Sequence, residues 1–308
     1  MGDTLERLRE TRGLAPQVKS APATRPPQPV RDPVPTAVVT AAQRLNRAAG
    51  VIATSVLIDS AMEHYRGNFH NKAMFTPLIA SSLSIAVSLH GLSDKRHGAH
   101  PLRDLVYAIA GVTGAIGTGF HLYNVTKKVG GFDWQNVFYS APLGAPAAML
   151  LSGLIGFLAE RVRDNEPEGE PHVFGLPAGR VVAAATAASL MGTTAEAGLL
   201  HFRGAFHNPA MLLPVTMPPV AAVLLGAAAA GDAAKARKGA RAWIALTAAM
   251  GLAGVAFHAY GVSRGMGGWR NWRQNAFAGP PLPAPPSFTG LALAGLAALA
   301  LLKEHAHE

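Results

Sequence analysis

Long apolar stretches alternate with short polar segments from about residue 47 to the end of the chain. A run of about 20 apolar residues is enough for a helix to cross the hydrocarbon core of a bilayer. Residues 1–46 are rich in proline and poor in apolar groups, which predicts a disordered cytoplasmic tail. The pattern therefore predicts an all-α integral membrane protein with eight transmembrane helices, at 47–66, 73–91, 104–125, 139–160, 179–202, 209–230, 241–262 and 286–302.

Two segments of the chain repeat each other. Residues 64–77 read HYRGNFHNKAMFTP, and residues 201–214 read HFRGAFHNPAMLLP. The same offset of 137 positions aligns a second motif, G-x2-G-x2-F-H-x-Y, at 114–123 and at 251–260. Because one register is kept over two widely separated motifs, the sequence predicts an internal tandem duplication of a four-helix unit.

The predicted duplication sets the expected organisation of the chain. We expect two tandem four-helix bundles in the membrane, 47–161 and 179–308, joined by a cytoplasmic linker at 162–178. Each unit has an even number of helices, so both copies cross in the same direction and are related by a pseudo-two-fold axis along the membrane normal. Of the 27 lysines and arginines, 19 fall on the side that carries both termini and 8 on the other. The positive-inside rule then predicts a multi-pass protein of the bacterial inner membrane with both termini cytoplasmic.

The first repeated motif contains residues that are typical of a helix-to-helix turn. Gly67 and Gly204 stand where a helix would end in a left-handed residue. Asn71 and Asn208 stand where the next helix needs an N-cap. We therefore expect a tight turn between the first two helices of each repeat.

Composition and charge exclude several classes of function. The chain has no cysteine, so disulfide scaffolds, thiolate metal sites and cysteine nucleophiles are excluded. Its net charge of +9 is explained by the inside rule and by anionic lipid in the bilayer. Nucleic acid is not expected as a partner because the basic tail lacks interleaved aromatic residues.

Four repeated histidines are the main candidate ligands. His64 and His121 fall near the outer ends of two helices that run in the same direction, and His201 and His258 repeat this arrangement. Two imidazoles at similar depth are what a six-coordinate haem needs. In architecture alone, this arrangement resembles the bis-histidine membrane cytochromes b. The sequence predicts haem b as the cofactor, with one haem in each repeat near the periplasmic face.

Arginines and glycines beside these histidines fit the same hypothesis. Arg66 and Arg203, at the outer surface, are placed for haem propionates. Gly117 and Gly254 share a helix face with the histidine that follows them, which would leave a smooth groove for a macrocycle. Glycines at this spacing also allow close helix packing, so both interpretations stay open.

A non-haem metal ion, iron or copper, is an alternative cofactor. Against it, Asp59 and His64 are five residues apart, so their side chains point about 140° apart around a helix. An acid and an arginine seven residues apart in each repeat could instead form an ion pair, Asp59 with Arg66 and Glu196 with Arg203. The predicted metal-ligand set is His64, His70, His121 and Asp59 in the first repeat and His201, His207, His258 and Glu196 in the second.

The predicted function is membrane electron transfer between a periplasmic redox partner, a dehydrogenase or a cytochrome, and the quinone pool. His70 and His207, on the outer turns, could serve quinone protonation or partner docking. Any enzymatic role would be that of a membrane subunit in an oxidoreductase complex. A transporter is the other alternative, because duplicated bundles with buried charges are common among carriers.

Overall fold

A computed structural model describes residues 36–140, 143–231 and 234–304, without the side chains of 234–236 and 303–304. The described residues are mostly helical. Two strands of two residues each, β1 (His172–Val173) and β2 (Leu176–Pro177), form a hairpin. In chain order the helices are α1 (Ala37–Arg66), α2 (Thr76–Ser93), α3 (Pro101–Thr126), α4 (Trp134–Tyr139), α5 (Gly144–Arg163), α6 (Ala178–Arg203), α7 (Leu213–Ala230), α8 (Ala234–Ser263), α9 (Trp272–Ala278) and α10 (Pro286–Glu304).

Several of these helices fit a bilayer. Within the described residues, five helical segments are long and apolar enough to cross a membrane: Lys72–Ser93, Pro101–Thr126, Gly144–Arg163, Pro209–Ala230 and Arg237–Ser263. The other predicted spans, 47–66, 179–202 and 286–302, lie in α1, α6 and α10. Helices α1 and α6 do not reach the same standard of hydropathy and charge, and α10 has a shorter apolar segment, Pro286–Leu302. The expectation of eight spans therefore stays a prediction.

Helix α1 begins earlier than the sequence suggested. Thr36 caps it by accepting a hydrogen bond from the amide of Val39, and the first turns bury Val38 and Leu45. The tail predicted over 1–46 is therefore wrong at its end, because small apolar residues between the arginines already form a buried face. Residues 1–35 lie outside the described part of the chain.

The helices pack as two similar groups around α1 and α6. In the first group α1 contacts α2 and α5, and α3 packs on α5; in the second, α6 contacts α7 and α10, and α8 packs on α10. Helix α10 also crosses α1, so it joins the two groups. At this crossing a Cβ on Gly290 would lie 2.5 Å from Ile52 and 3.1 Å from the carbonyl oxygen of Ala48. Small residues therefore bring the two helices close enough for backbone contact.

The end of the bundle that carries His64 and His201 is called the motif end below. At the opposite end the first group contains a buried ionic network. Arg103, fully buried, donates to both oxygens of Glu160 at 2.8 and 3.0 Å and to Asp94 at 2.8 Å. Arg163, also fully buried, donates to backbone carbonyls, including that of Gly91 at 2.8 Å. The network ties the ends of α2, α3 and α5 together.

Removing one partner of the buried pair is expected to destabilise the fold strongly. Glu160→Ala leaves the Arg103 guanidinium buried without its main partner, which costs about 3–5 kcal/mol. The matched control is Asp104→Ala in the half-exposed pair with Arg161, which should cost about 0–1 kcal/mol. Thermal unfolding of the detergent-purified variants measures both. Equal melting temperatures for the two variants would contradict this account.

Asp94 gives the network a dependence on pH. Burial raises the pKa of its carboxyl group, but hydrogen bonds from Arg96 and Arg103 lower that pKa more, so it lies below its ordinary value. A lowered pKa in the folded protein adds stability that is present above the unfolded pKa of about 3.9 and is lost as the pH falls.

Asp94→Asn should therefore lower the melting temperature at neutral pH, because the neutral amide loses the charged hydrogen bonds from both arginines. The difference from the wild-type protein should shrink as the pH falls below about 4. Melting curves of both proteins across this range measure the effect. A constant difference at all pH values would show that the charge of Asp94 plays no part.

Candidate functional site

A strained turn follows α1 and recurs after α6. In the first turn Asn68 and Phe69 have left-handed backbone angles, with φ of 57° and 46°. In the second, Ala205 and Phe206 have φ of 54° and 46°. Non-glycine residues rarely adopt this conformation, and an aromatic residue there is unusual. The two turns match although their sequences differ at the first of these positions.

The glycine before each turn does not have the predicted conformation. Gly67 and Gly204 have φ of −80° and −83°, so the prediction of left-handed glycines was wrong. The glycines leave room for the methionine side chain of the same turn. A Cβ on Gly67 would lie 2.9 Å from Cε of Met74, and the same contact at Gly204 is 3.0 Å from Met211.

The predicted asparagine caps are confirmed. The side chain of Asn71 accepts a hydrogen bond from the amide of Ala73 at 2.9 Å, and Asn208 does the same for Ala210 at 2.9 Å. Each asparagine begins a 3₁₀ turn, Lys72–Phe75 or Pro209–Leu212, that leads into the next helix. The caps satisfy backbone donors that the helix itself cannot pair.

Each turn orients the histidine that ends the preceding helix. The Nδ1 atoms of His64 and His201 lie 2.6 and 2.8 Å from the carbonyl oxygens of Met74 and Met211. A carbonyl oxygen only accepts, so Nδ1 carries the proton and Nε2 has its lone pair available. The left-handed phenylalanine places its ring 6.2 Å from the imidazole, edge on, in both turns. The rings are thus fixed in tautomer and direction.

The second histidine of the second repeat lies beside the first. The ring centres of His201 and His258 are 6.4 Å apart, with an interplanar angle of 64°. Nδ1 of His258 donates to the carbonyl oxygen of Pro281 at 2.7 Å, so its Nε2 also has a lone pair available. A metal–imidazole bond is about 2 Å long, so two imidazoles on opposite sides of one metal ion have ring centres roughly 6 Å apart.

A cavity of about 2200 Å³ opens at the motif end and is called the central cavity. Residues of α1, α5, α6 and α8 line it, together with α9 and the loop that leads into α10. His201 and His258 both lie on its wall, whereas His64 and His121 do not. The structure therefore places the second histidine pair on the wall of a space large enough for a cofactor.

The predicted ion pairs are replaced by other contacts. Nη1 of Arg66 donates to Glu63 at 2.8 Å instead of to Asp59, because Glu63 is only one helical turn away. The guanidinium of Arg203 lies 5.6 Å from the ring centre of Phe138. Both arginines line the central cavity, as do the carboxyl groups of Asp59 and Glu196. Charged groups of both signs therefore face this space.

The histidines of the outer turns contact their own turns. Nδ1 of His70 donates to the carbonyl oxygen of Gly67 at 2.9 Å, and His207 contacts Gly204 in the same way at 3.0 Å. Both side chains are exposed, and His207 also lines the cavity. Within the described part of the chain, no three histidine, aspartate or glutamate side chains are grouped so that they could hold a metal ion.

The motif glycines bring helices together. A Cβ on Gly117 would lie 3.1 Å from Cβ of Pro146, and a Cβ on Gly254 would lie 2.7 Å from Cβ of Pro285. Pro146 of α5 and Pro285, which directly precedes α10, thus fill the groove beside these two glycines. Gly254 lines the central cavity as well, so one of the two predicted glycines is also close to the histidine site.

The short helices α4 and α9, which the sequence analysis did not predict, cross between the two groups. Phe138 of α4 contacts Phe202 of α6, with ring centres 5.9 Å apart. Phe277 of α9 stacks on Tyr65 of α1 at 5.2 Å. Each short helix therefore packs on the other group's first helix, beside the cavity. The aromatic residues in these loops were the available signal, but their partners lie far away in the sequence.

Comparison of the chain with protein-family models, with curated proteins and with solved structures found no match. The assignment of function therefore depends on the geometry of the site.

The packing role of the glycines can be tested on α3. Gly114→Ala should lower the melting temperature, because the added Cβ would lie 2.2 Å from the backbone nitrogen of Leu150. Gly119→Ala on the same helix is the matched control, since its Cβ meets nothing within 4 Å. The control should keep or slightly raise stability through higher helix propensity. Thermal unfolding in detergent measures both, and a loss at Gly119 as large as at Gly114 would contradict the packing role.

Proposed function

We propose that the protein is a membrane electron-transfer subunit that binds haem b between His201 and His258. The observation that carries the proposal is the pair of imidazoles 6.4 Å apart on the wall of a cavity of about 2200 Å³. Each Nδ1 is held by a backbone carbonyl, which is the usual way in which proteins orient a ligating histidine.

Haem fits this donor set better than a bare metal ion does. The porphyrin supplies four of the six ligands of its iron, so two histidines complete the set. A bare ion needs a larger set of protein ligands, and the non-haem hypothesis therefore has less support. The lack of cysteine means that the haem would be of the non-covalent b type.

The chemistry expected of such a site is transfer of single electrons. If both His201 and His258 held a haem, no position would remain open for oxygen or substrate, which favours electron transfer over oxygen chemistry. Arg203 and Arg264 line the cavity and are available for haem propionates. The external redox partner is a periplasmic dehydrogenase or cytochrome, and the lipid-soluble partner is quinone.

The proposal includes eight spans and an internal duplication. The matched turns, caps, histidine contacts and glycine contacts at 64–77 and 201–214 support the duplication. Helices α1 and α6 are surrounded by neighbours, which explains how helices of lower hydropathy could span a bilayer. The orientation, with both termini in the cytoplasm of a bacterium, is supported by the distribution of basic residues.

The first pair, His64 and His121, stays a prediction. His64 has the same Nδ1 hydrogen bond as His201, but the central cavity does not reach it. We therefore propose one haem for each chain at the second pair, whereas the sequence alone suggested two.

A visible spectrum of the detergent-purified protein, before and after reduction with dithionite, tests the proposal. The wild-type protein should show a Soret band that shifts on reduction, with about one iron per chain by metal analysis. His201→Ala and His258→Ala should each abolish this spectrum, because either change removes one of the two axial ligands.

Two controls separate the second pair from other histidines. His64→Ala should keep the spectrum if one haem is bound at the second pair, and loss of half the absorbance would restore the two-haem hypothesis. His172→Ala changes an exposed histidine of β1 and should have no effect. A well-folded wild-type protein without a Soret band would refute the proposal.

A further inference from the structure

The central cavity is larger than one cofactor requires. Ligand pockets commonly measure about 300–1,000 Å³. The cavity measures about 2200 Å³, so a second ligand could lie beside the proposed haem. Residues of α1 line the wall contributed by the first group, and these residues belong to a different helix from either histidine of the proposed haem site.

Two carboxyl groups from different helices line this part of the cavity. Asp59 on α1 interacts electrostatically with Glu63 on the same helix and with Glu196 on α6. Oε1 of Glu196 is buried and has no hydrogen-bond partner within the described part of the chain. Glu63, by contrast, is paired with Arg66. Asp59 and Glu196 are therefore the carboxyl groups with capacity to accept a proton from a ligand.

The rest of the wall is mostly apolar. Leu246 and Phe257 of α8 line the cavity, and each keeps 50% of its surface exposed. Helix α8 contains one of the segments that are apolar enough to cross a membrane. An opening along this helix would admit a ligand from the acyl chains of the bilayer.

We propose that the central cavity binds a quinol beside the haem, with Asp59 and Glu196 as its proton acceptors. This inference rests on the proposed function, because the haem is the electron acceptor. Oxidation of a quinol to a quinone releases two electrons and two protons. The electrons would pass one at a time through a bound haem to the external redox partner, which in this direction is a cytochrome. Each carboxylate takes one proton, and the reverse reaction reduces a quinone.

The composition of the wall and the position of the carboxyl groups both favour a quinol. The apolar part of the wall suits the ring and tail of a lipid-soluble molecule. The carboxyl groups come from α1 and α6, and the proposed haem ligands come from α6 and α8. A quinol between α1 and α6 would therefore lie next to the haem without replacing an axial ligand.

Anaerobic reduction of the ferric protein by decylubiquinol tests the inference, with dithionite as a second reductant. The wild-type haem should be reduced by both. Asp59→Asn and Glu196→Gln should slow reduction by the quinol roughly 100-fold, because an amide cannot accept the proton. Their dithionite-reduced spectra should equal that of the wild-type protein. Glu168→Gln changes an exposed carboxyl group that does not line the cavity; it is the control and should reduce at the wild-type rate.

A second pair of variants tests the position of the quinol without changing a charge. Gly192 of α6 lines the cavity, and a Cβ there meets nothing within 4 Å. Gly192→Leu should therefore fill part of the cavity and slow reduction by decylubiquinol, while dithionite still reduces the haem. Gly119→Leu makes the same change on α3, at a position with equal space that does not line the cavity, and should leave the rate unchanged.

The outcomes separate the quinol site from the proposed function. A wild-type protein that dithionite reduces and decylubiquinol does not would overturn the quinol site and leave the haem in place. Wild-type rates in both Asp59→Asn and Glu196→Gln would overturn their role as proton acceptors, and a wild-type rate in Gly192→Leu would overturn the position. A protein without a haem spectrum would overturn the proposed function, and the quinol reaction with it.

Discussion

The hydrogen bond from His201 to the carbonyl oxygen of Met211 determines much of the architecture at the motif end. It joins the last turn of α6 to the 3₁₀ turn before α7, so the two helices must reverse within a few residues. The reversal is completed by the left-handed pair before the asparagine cap, and Gly204 leaves room for the side chain of Met211. The same bond fixes the proton on Nδ1 and leaves Nε2 for a ligand. Local folding and site chemistry thus depend on one contact.

The two groups of helices share this turn but differ in how their opposite ends are held. In the first group Tyr107 donates to Asn46 at 2.6 Å, and both are fully buried. At the offset of the repeat the second group has Ile244 and Ala183 instead. Directional polar contacts therefore tie the first group together, whereas the second depends on apolar packing.

Part of this structure could be predicted from sequence because part of it is local. An asparagine caps a helix when its side chain accepts a hydrogen bond from the amide two residues ahead. Asn71 and Asn208 could therefore be predicted as caps without any tertiary information. Glycine was assigned the left-handed position on the same local reasoning, and this failed because Asn68 and Phe69 take that conformation instead. The spacing of three residues between Glu63 and Arg66 favoured their pairing over one between Asp59 and Arg66, and this local signal was overlooked.

The remaining features depend on contacts between distant parts of the chain, and no local pattern specifies them. The stacking of Tyr65 on Phe277 joins residues that are more than two hundred positions apart. The histidine pairs look equivalent in sequence, yet only the second lies on the central cavity, because the environments of the two repeats differ.

The position of the cavity can be explained by one such difference. Helices α1 and α10 make close contact where Gly290 lies against Ile52, whereas the corresponding helices of the other junction, α5 and α6, touch much less. Pro146 and Pro285 contact the equivalent glycines of the two repeats, Gly117 and Gly254. The two prolines are 139 positions apart, and the same offset aligns Leu151 of α5 with Gly290 of α10. Leu151 lines the central cavity. A leucine in place of a glycine holds two helices apart. The wider junction between α5 and α6 therefore forms part of the wall of the central cavity.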